Sequence, residues 1–550
     1  MEKINVNVDG IERNVEFLSE YRNIVEYDGK SYSDNPTVGV LVNGKLQSLS
    51  ERVEGASEIE SIPLFSPLGK RIYRKSLTLL LSYASSLIYH KRPLVIGHSL
   101  GDGYFFRYED QKDFSLDALK KKMMEIVEKG TRIERIRLSH DKAMSYAREK
   151  EEKETEILLE SMNDSDYDFV RCDDFYALYT EPVLPDFSIV TLWELRRYSD
   201  GLLLRYPQSR SIERIMPFSD NPLLFSIFEE SRMNEERISI RSIGELNDSI
   251  AKNRIAHDIL LMEAQQRRKI IKIADMILAK KSARIIFIAG PSSSGKTTFS
   301  LKLADELRIM GKKAIKISLD DYYKPRSEVP RDESGDYDYE ALEALRLDFF
   351  RWQINDFLEG RDVHLPSFSF IKQETELSME GYRMDDDTYL LIEGIHGLNP
   401  ALLPNLDSSL SFKVYISALT LLNLDSNTRI STTDNRIIRR MVRDNRTRGF
   451  DAVETISRWP SVERGEKNHI FPYQNNADVM INSALDYELA VLSSKAIPLL
   501  RMVRKEDRDA YPVARRLLSF LQYISPIDTT LVPKDSILRE FIGSSVYGAT

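Results

Sequence analysis

The 550-residue chain has a single cysteine, Cys172. That excludes an intrachain disulfide and a cysteine-built zinc cluster, and it suits a reducing compartment. Positive charge is also scarce: 77 lysines and arginines stand against 86 aspartates and glutamates, a formal net charge of −9. A general attraction to nucleic acid or to an anionic membrane is therefore not expected, and any nucleic-acid contact would have to be a local patch. No apolar run approaches the roughly 18 residues a membrane span needs. The N-terminus, MEKINVNVDG, alternates polar and apolar residues like a strand and unlike a signal peptide. Together these absences lead us to expect a cytoplasmic protein without a membrane partner. The length itself is too great for one core and favours about three or four domains.

What is present is organised around Arg284–Ser300, RIIFIAGPSSSGKTTFS. Ile285 to Ala289 is an apolar run of strand length. Gly290-Pro291-Ser292-Ser293-Ser294-Gly295-Lys296-Thr297 fits the phosphate-binding loop pattern G-x4-G-K-[ST]. Behind it, Phe299, Leu303, Leu307 and Met310 fall at helical spacing and Gly311 is a helix stop. Strand, glycine loop and helix come in the order in which backbone N–H groups and a helix N-terminus hold a polyphosphate. Lys296 would reach the β- and γ-phosphates, and the Thr297 hydroxyl would ligate Mg²⁺.

Further strands are expected at Ala314 to Leu319, Tyr389 to Ile392, Phe412 to Ile416 and Val479 to Ile481. Alternation with helices indicates a parallel sheet, so this part is α/β. Ligands of such sheets bind at the C-terminal strand ends. Asp320 and Asp321 follow the second strand and Glu393 ends the third, which places acids at that edge. Farther on, NRIIRRMVRDNRTRGFD (435–451) puts Arg436, Arg440 and Arg443 on one helix face, with Arg439, Arg446 and Arg448 nearby. Six arginines against one internal acid, Asp444, read as a phosphate-clamping lid.

These residues resemble the uridine kinase and phosphoribulokinase branch of P-loop kinases over roughly 283 to 500. GPSSSGKTT is close to that branch's phosphate loop, and SLDDYYK (318–324) to its Asp-x-aromatic-Tyr segment. The resemblance implies ATP and Mg²⁺. It assigns ATP to Gly290, Ser292, Ser293, Ser294, Gly295, Lys296, Thr297 and Thr298, and metal to Thr297 and Glu393. Asp320 becomes the base that accepts the proton of a substrate 5′-hydroxyl, with Tyr323 beside the nucleoside. Asp338, in DYDYEA (336–341), falls on the ribose hydroxyls. Phe368 and Phe370, in LPSFSF (365–370), fall on the walls of the base pocket. Lid contacts fall on Arg440, Arg443 and Arg448. His396, after Glu393, is expected to pack at the strand end rather than act as a base. The chain departs from the pattern where the family has a base-reading His (here Gln373), a Tyr (here Phe368) and a ribose-side Arg (here Phe450). Gln373 is still donor and acceptor at once and could read a pyrimidine edge.

The N-terminal half resembles accessory domains of threonyl-tRNA synthetase. Residues 1–62, with INVNV (4–8) and a hairpin signal at Asn43-Gly44, resemble the β-grasp TGS domain. Residues 63–230 resemble the α+β second additional, or editing, domain through YRKSLTLLL (73–81), VIGHSLGDGYFF (95–106) and LYTEPVLP (178–185). The family's His-x3-His falls on Lys75 and Leu79, and its Cys-x3-His on Tyr179 and Val183, a set that cannot build that metal cluster. His98 and Asp102 lie in the glycine-rich turn and are expected to serve its geometry. We read 115–160 as helical and charged, 231–282 as a helical connector with one long helix from Asn247 to Lys281, and 501–550 as a helical tail capping the kinase region.

The expected activity is phosphorylation of a nucleoside, uridine or cytidine first, at its 5′-hydroxyl. A phosphorylated sugar as acceptor, or an RNA-binding module with a nucleotide switch, are the alternatives. No Asn-Lys-x-Asp guanine motif is present to support a GTPase switch. A homo-oligomer stays open, since the N-terminal half could block or replace the interface that related kinases use.

Overall fold

A computed structural model describes the chain apart from residues 1, 26, 28–30, 102, 208–213, 333–334, 336, 370–373 and 549–550. The first 63 residues form a mixed five-stranded sheet in the order Ile11–Glu16, Lys3–Val8, Ser57–Pro63, Thr37–Val42, Lys45–Ser48. The central pair, Lys3–Val8 and Ser57–Pro63, is parallel, and the other pairings are antiparallel. Asn43 and Gly44 turn the last hairpin with φ of 50° and 78°, the double left-handed conformation of the tightest hairpin loops. Val6, Val8, Val40 and Ile59 alternate inward to build the core of this layer.

Next comes the helix Pro67–Ile88. The Ser66 hydroxyl accepts from the Gly69 N–H at 3.0 Å and proline fills the first turn. It packs with a four-stranded antiparallel sheet (Glu194–Tyr198, Gly201–Arg205, Gly103–Tyr108, Leu94–Leu100) and a three-stranded one (Phe175–Leu178, Asp166–Cys172, Glu134–Ser139). The strand Glu134–Ser139 corrects the wholly helical reading of 115–160. Ile136 and Leu138 alternate with charged residues at period two and pair with Asp166–Cys172 in register. The connector is also more broken than expected. It is Pro222–Ile238, Ile243–Ala251 and Ile255–Ala279, and the long helix is interrupted where Asn253 takes φ of 57°.

The C-terminal half holds a five-stranded, all-parallel sheet: β1 (Ile285–Ala289), β2 (Lys313–Ser318), β3 (Thr388–Glu393), β4 (Ser411–Ser417) and β5 (Val479–Asn482), ordered β2-β3-β1-β4-β5. β1 and β3 are buried along their whole length, as strands covered by helices on both faces are. Between β1 and β2 runs α1 (Lys296–Ile309), and between β4 and β5 lie α2 (Thr432–Arg448) and α3 (Ala452–Gly465). The crossovers place the loop after β1, the turn after β2 and the end of β3 on one edge. No helix among the described residues is long and apolar enough to cross a membrane.

The two halves share a core. One apolar cluster runs from Ala143, Leu158 and Phe169 to Ile437, Trp459 and Phe541. A small hairpin, Asn423–Asp425 with Thr428–Arg429, docks on the strand Leu94–Leu100. Ile96 donates its N–H to the Ser426 carbonyl at 2.9 Å and receives the Asn423 amide on its own carbonyl at 2.6 Å. From the tail, Ser519 donates to the Thr180 carbonyl at 2.9 Å.

Candidate active site

The phosphate loop is fixed from outside by its carbonyls. Arg436 donates to Ser292 O at 2.9 Å, Arg439 to Ser293 O at 3.2 Å, and the Ser483 hydroxyl to Ser294 O at 2.5 Å. Three successive carbonyls of the loop are thus held from outside, while the Ser294 N–H closes a turn on the Pro291 carbonyl at 3.2 Å. Gly290 is required because a Cβ there would sit 2.2 Å from the Ile416 carbonyl oxygen; Gly295 is required by its φ of 82°. The Lys296 ammonium rests on the Pro291 carbonyl at 3.1 Å.

Acidic groups gather at the neighbouring strand ends. Glu393, 6% exposed, accepts from the Thr297 hydroxyl at 3.0 Å. Burial raises its carboxyl above the usual range, and Asp320 adds to this while Lys316 and Lys296 oppose it. Asp320 lies in the single turn Leu319–Tyr322, exposed, with no hydrogen bond or ion pair to the described residues. Its neighbour Asp321 instead accepts from the Phe368 N–H at 3.1 Å, so it anchors the hairpin Pro366–Ser369/Glu374–Leu377.

The arginines of α2 divide into two sets. Arg436 and Arg439 are buried and committed, the first to Glu466 and the second to Glu488. They brace the loop and do not face a ligand. Arg440, Arg443 and Arg448 instead surround one carboxylate, Asp444, which is 1% exposed, at 3.3, 2.8 and 3.6 Å. Arg440 also donates to the Ser292 hydroxyl at 3.1 Å, which ties this group to the phosphate loop. Burial and mutual repulsion lower the guanidinium affinity of Arg440 and Arg448 for their protons. Three cations on Asp444 leave a local surplus of positive charge, of which Arg440 reaches the loop while Glu340 and Asp320 offset part of it, a setting that favours a polyanion.

On the acceptor side, Tyr323 is buried. Its hydroxyl donates to the Tyr339 carbonyl at 2.9 Å, and its ring lies 6.5 Å from that of Phe368. Asp338 accepts from the Glu340 N–H at 3.1 Å and faces His469 at 3.5 Å. Phe370 and Gln373 lie outside the described residues, as does Asp102. Phe450 carries the Arg458 guanidinium over its ring at 4.2 Å. His396 is buried beside His469, and burial pushes its imidazole down to about 4, a neutral packing residue. Glu340 was not singled out by sequence. Burial first and Glu466 second raise its carboxyl to about 7, while Arg440 and Lys296 oppose them, so it belongs to the same electrostatic neighbourhood as the loop lysine. Glu466 was also missed: it accepts from the Ser292 N–H at 3.2 Å. Glu340 sits inside the DYDYEA segment, two residues after Asp338, whereas Glu466 lies in no pattern that spacing could reveal.

In the N-terminal half, the four positions where a synthetase would carry its cluster hold other interactions. Leu79 and Val183 are core residues. The Tyr179 hydroxyl donates to Glu51 at 2.9 Å. Burial lowers the Lys75 ammonium, against the pull of Glu181 and Asp425.

Residues 285–490 match the model of the Phosphoribulokinase / Uridine kinase family. Over 208 residues the chain is 27% identical to a uridine kinase of Staphylococcus epidermidis, covering 38% of this chain and 91% of that one. It is 27% identical over 210 residues to uridine-cytidine kinase B of Dictyostelium discoideum, covering 38% and 77%. The N-terminal region matches a threonine–tRNA ligase of Caldanaerobacter subterraneus subsp. tengcongensis, 25% identical over 219 residues, 38% of this chain and 33% of that one. The chain thus spans about a third of the length of the threonine–tRNA ligases it matches. A solved structure of a possible uridine kinase from Bacillus stearothermophilus aligns over 40% of this chain and all of its own, at 18% identity and a TM-score of 0.28. The C-terminal part of the chain, with its phosphate loop on a parallel sheet, is therefore a domain of the Phosphoribulokinase / Uridine kinase family, joined to a region similar to threonine–tRNA ligases.

Proposed function

We propose that residues 283–500 catalyse transfer of the ATP γ-phosphoryl group to the 5′-hydroxyl of a nucleoside, uridine or cytidine first, giving the 5′-monophosphate for pyrimidine salvage. The observation that carries this reading is the proximity of the loop, of Asp320, which is unpaired among the described residues, and of the arginine trio on Asp444: Arg440 reaches Ser292 and Arg448 feels the charge of Asp320. Asp320 is free to accept the acceptor's proton, as a positioned base must be. Gly290, Ser292, Ser293, Ser294, Gly295 and Thr298 line the ATP cradle with Lys296 and Thr297. Lys296, Arg440, Arg443 and Arg448 offset the charge of the transferring group. Tyr323, Asp338 and Phe368 frame the acceptor; Phe370 and Gln373, which the family resemblance adds to this set, lie outside the described residues.

Thr297 Oγ1 and Glu393 Oε1, 3.0 Å apart, are hard oxygen donors of the kind that hold Mg²⁺ with one or two protein groups and the substrate phosphates. When bound, that ion supplies neutralisation of phosphoryl charge. We assign 1–62 to a TGS-like domain, 63–230 to a second-additional-like domain, 231–282 to the connector and 501–550 to the tail, in a cytoplasmic protein.

The test is an acceptor panel with MgATP, covering nucleosides and phosphorylated sugars. Asp320-dependent turnover of a pyrimidine nucleoside supports the proposal. Turnover confined to a phosphorylated sugar would move the acceptor, and tight tRNA binding without any Asp320-dependent turnover would replace the kinase by a binding module.

A further inference from the structure

The tail closes on the phosphate loop. Glu540, 5% exposed, accepts hydrogen bonds from both the backbone N–H of Thr298 at 3.1 Å and its hydroxyl at 3.0 Å. Thr298 is the third residue of α1. Its N–H is one of the unsatisfied donors at a helix start, and in a loop of this type such donors cradle the α- and β-phosphates. A carboxylate therefore sits on an anion-binding group of the donor site. It is close enough to Glu393 to add to the rise in that carboxyl.

The rest of the segment is built to hold it there. The Lys302 ammonium, one turn farther along α1, binds Asp535 at 3.0 Å. The methyl of Ile537 lies where a Cβ on Gly295 would meet it at 2.6 Å, so the tail covers the loop's last glycine directly. Arg539 folds the segment by donating to its own carbonyls, Thr529 at 2.9 Å and Gly543 at 3.3 Å among them. From α2, Arg446 donates to the Glu540 carbonyl at 3.0 Å and the Phe541 carbonyl at 3.3 Å. The helix bearing the arginine trio and the tail carrying Glu540 are thus one contact unit over the loop.

We propose that Glu540 is a built-in competitor of the donor nucleotide: its carboxylate occupies donors of the phosphate cradle, and binding of a nucleoside triphosphate displaces it together with the tail segment around it. The inference rests on the donor site described above. Like charge forbids carboxylate and phosphate from sharing the Thr298 donors, so each binding event must break the Glu540 contacts. The apparent affinity is lowered by the fraction of molecules in which the tail is closed. Two hydrogen bonds to a charged acceptor place that reduction at about tenfold or more.

The experiment is titration calorimetry of full-length wild type, Glu540→Gln and Glu540→Ala with a non-hydrolysable ATP analogue. It is paired with hydrogen exchange of the wild type over the tail, with and without the analogue. The alanine variant is expected to bind about tenfold tighter, the glutamine variant to gain less because its amide oxygen still accepts, and exchange across 533–543 to rise on binding. Equal or weaker binding by the alanine variant, or tail exchange that stays flat or falls when wild type binds the analogue, overturns the proposal. The hydrogen-exchange arm needs no substitution, so a variant that fails to fold does not blunt the test. Tighter binding with no acceptor turned over in the panel would sink the nucleoside kinase reading and leave the competitor in place.

Discussion

Replacing Asp444 by asparagine isolates the charge balance on which the arginine trio depends. The substitution keeps the shape and removes the one anion shared by Arg440, Arg443 and Arg448. With an effective dielectric of about 20, the attractions at 2.8, 3.3 and 3.6 Å are each on the order of 5 kcal/mol before desolvation. Most of that is spent taking the groups out of water, and breaking a buried pair from one side typically costs about 3–5 kcal/mol. Arg448 is 44% exposed and its share is screened, so the lower end, about 3 kcal/mol, is expected. For a domain of this size that is a fall of roughly 6–12 °C in the kinase-half melting temperature. A polyanion can replace the lost charge. Inorganic triphosphate should therefore raise the melting temperature of Asp444→Asn by more than it raises that of wild type. The assay is thermal unfolding at low salt, with and without triphosphate. If the two proteins melt together without ligand, or triphosphate stabilises both equally, the trio is not held by Asp444 in the way described. The carboxyl also gives a pH check. Burial alone would raise it, yet the arginines outweigh burial and hold it below the usual aspartate range. Its contribution is then complete above about pH 4 and is lost as pH falls through the depressed value.

Asp320→Asn should lower kcat for the acceptor by about 10²–10⁴ while leaving ATP affinity nearly unchanged, because Asp320 touches none of the loop; steady-state kinetics beside calorimetry checks this, and an unchanged kcat would remove Asp320 as base. Glu152 gives the opposite pH signature to Asp444. Burial first and Asp425 second raise its carboxyl to about 8, so the folded state keeps a proton that the unfolded chain releases near pH 4.5, and stability falls as pH rises between those values. Urea midpoints from pH 5 to 9 should decline less in Glu152→Gln than in wild type; parallel declines would show that Glu152 is not the group responsible.

The sequence disclosed what local pattern encodes. β1 runs over the same five residues, Ile285 to Ala289, that its apolar run marks, and the Asn43-Gly44 hairpin turns where the dipeptide says. The all-parallel sheet follows from strands alternating with helices. It disclosed less where the deciding partner is far away in the chain. Glu134–Ser139 is held as a strand by Asp166–Cys172 beside it, and its period-two alternation covers too few residues to stand out from the charged helices around it. The six arginines of α2 look alike in sequence, yet two are braces because Glu466 and Glu488 return to meet them from more than 25 residues away. Glu540 is a further case, 242 residues from its partner Thr298 in a tail with no motif.

The same kind of long-range contact ties the N-terminal half to the helix that carries the arginine trio. Asp434, in the first turn of α2 and 2% exposed, is held by Arg71 of the helix Pro67–Ile88 at 3.1 Å and by Arg516 of the tail region. Arg71 in turn is paired with Glu181 at 2.5 Å, beside the positions where a synthetase-type cluster would lie. At the far end of α2, Arg446 is tied to the segment that carries Glu540. The arginine trio therefore sits on a helix moored at its start to both the synthetase-like region and the tail, and at its end to the tail. The Arg71–Asp434 contact thus joins the fused half to the helix of the trio through residues that lie outside the phosphate loop.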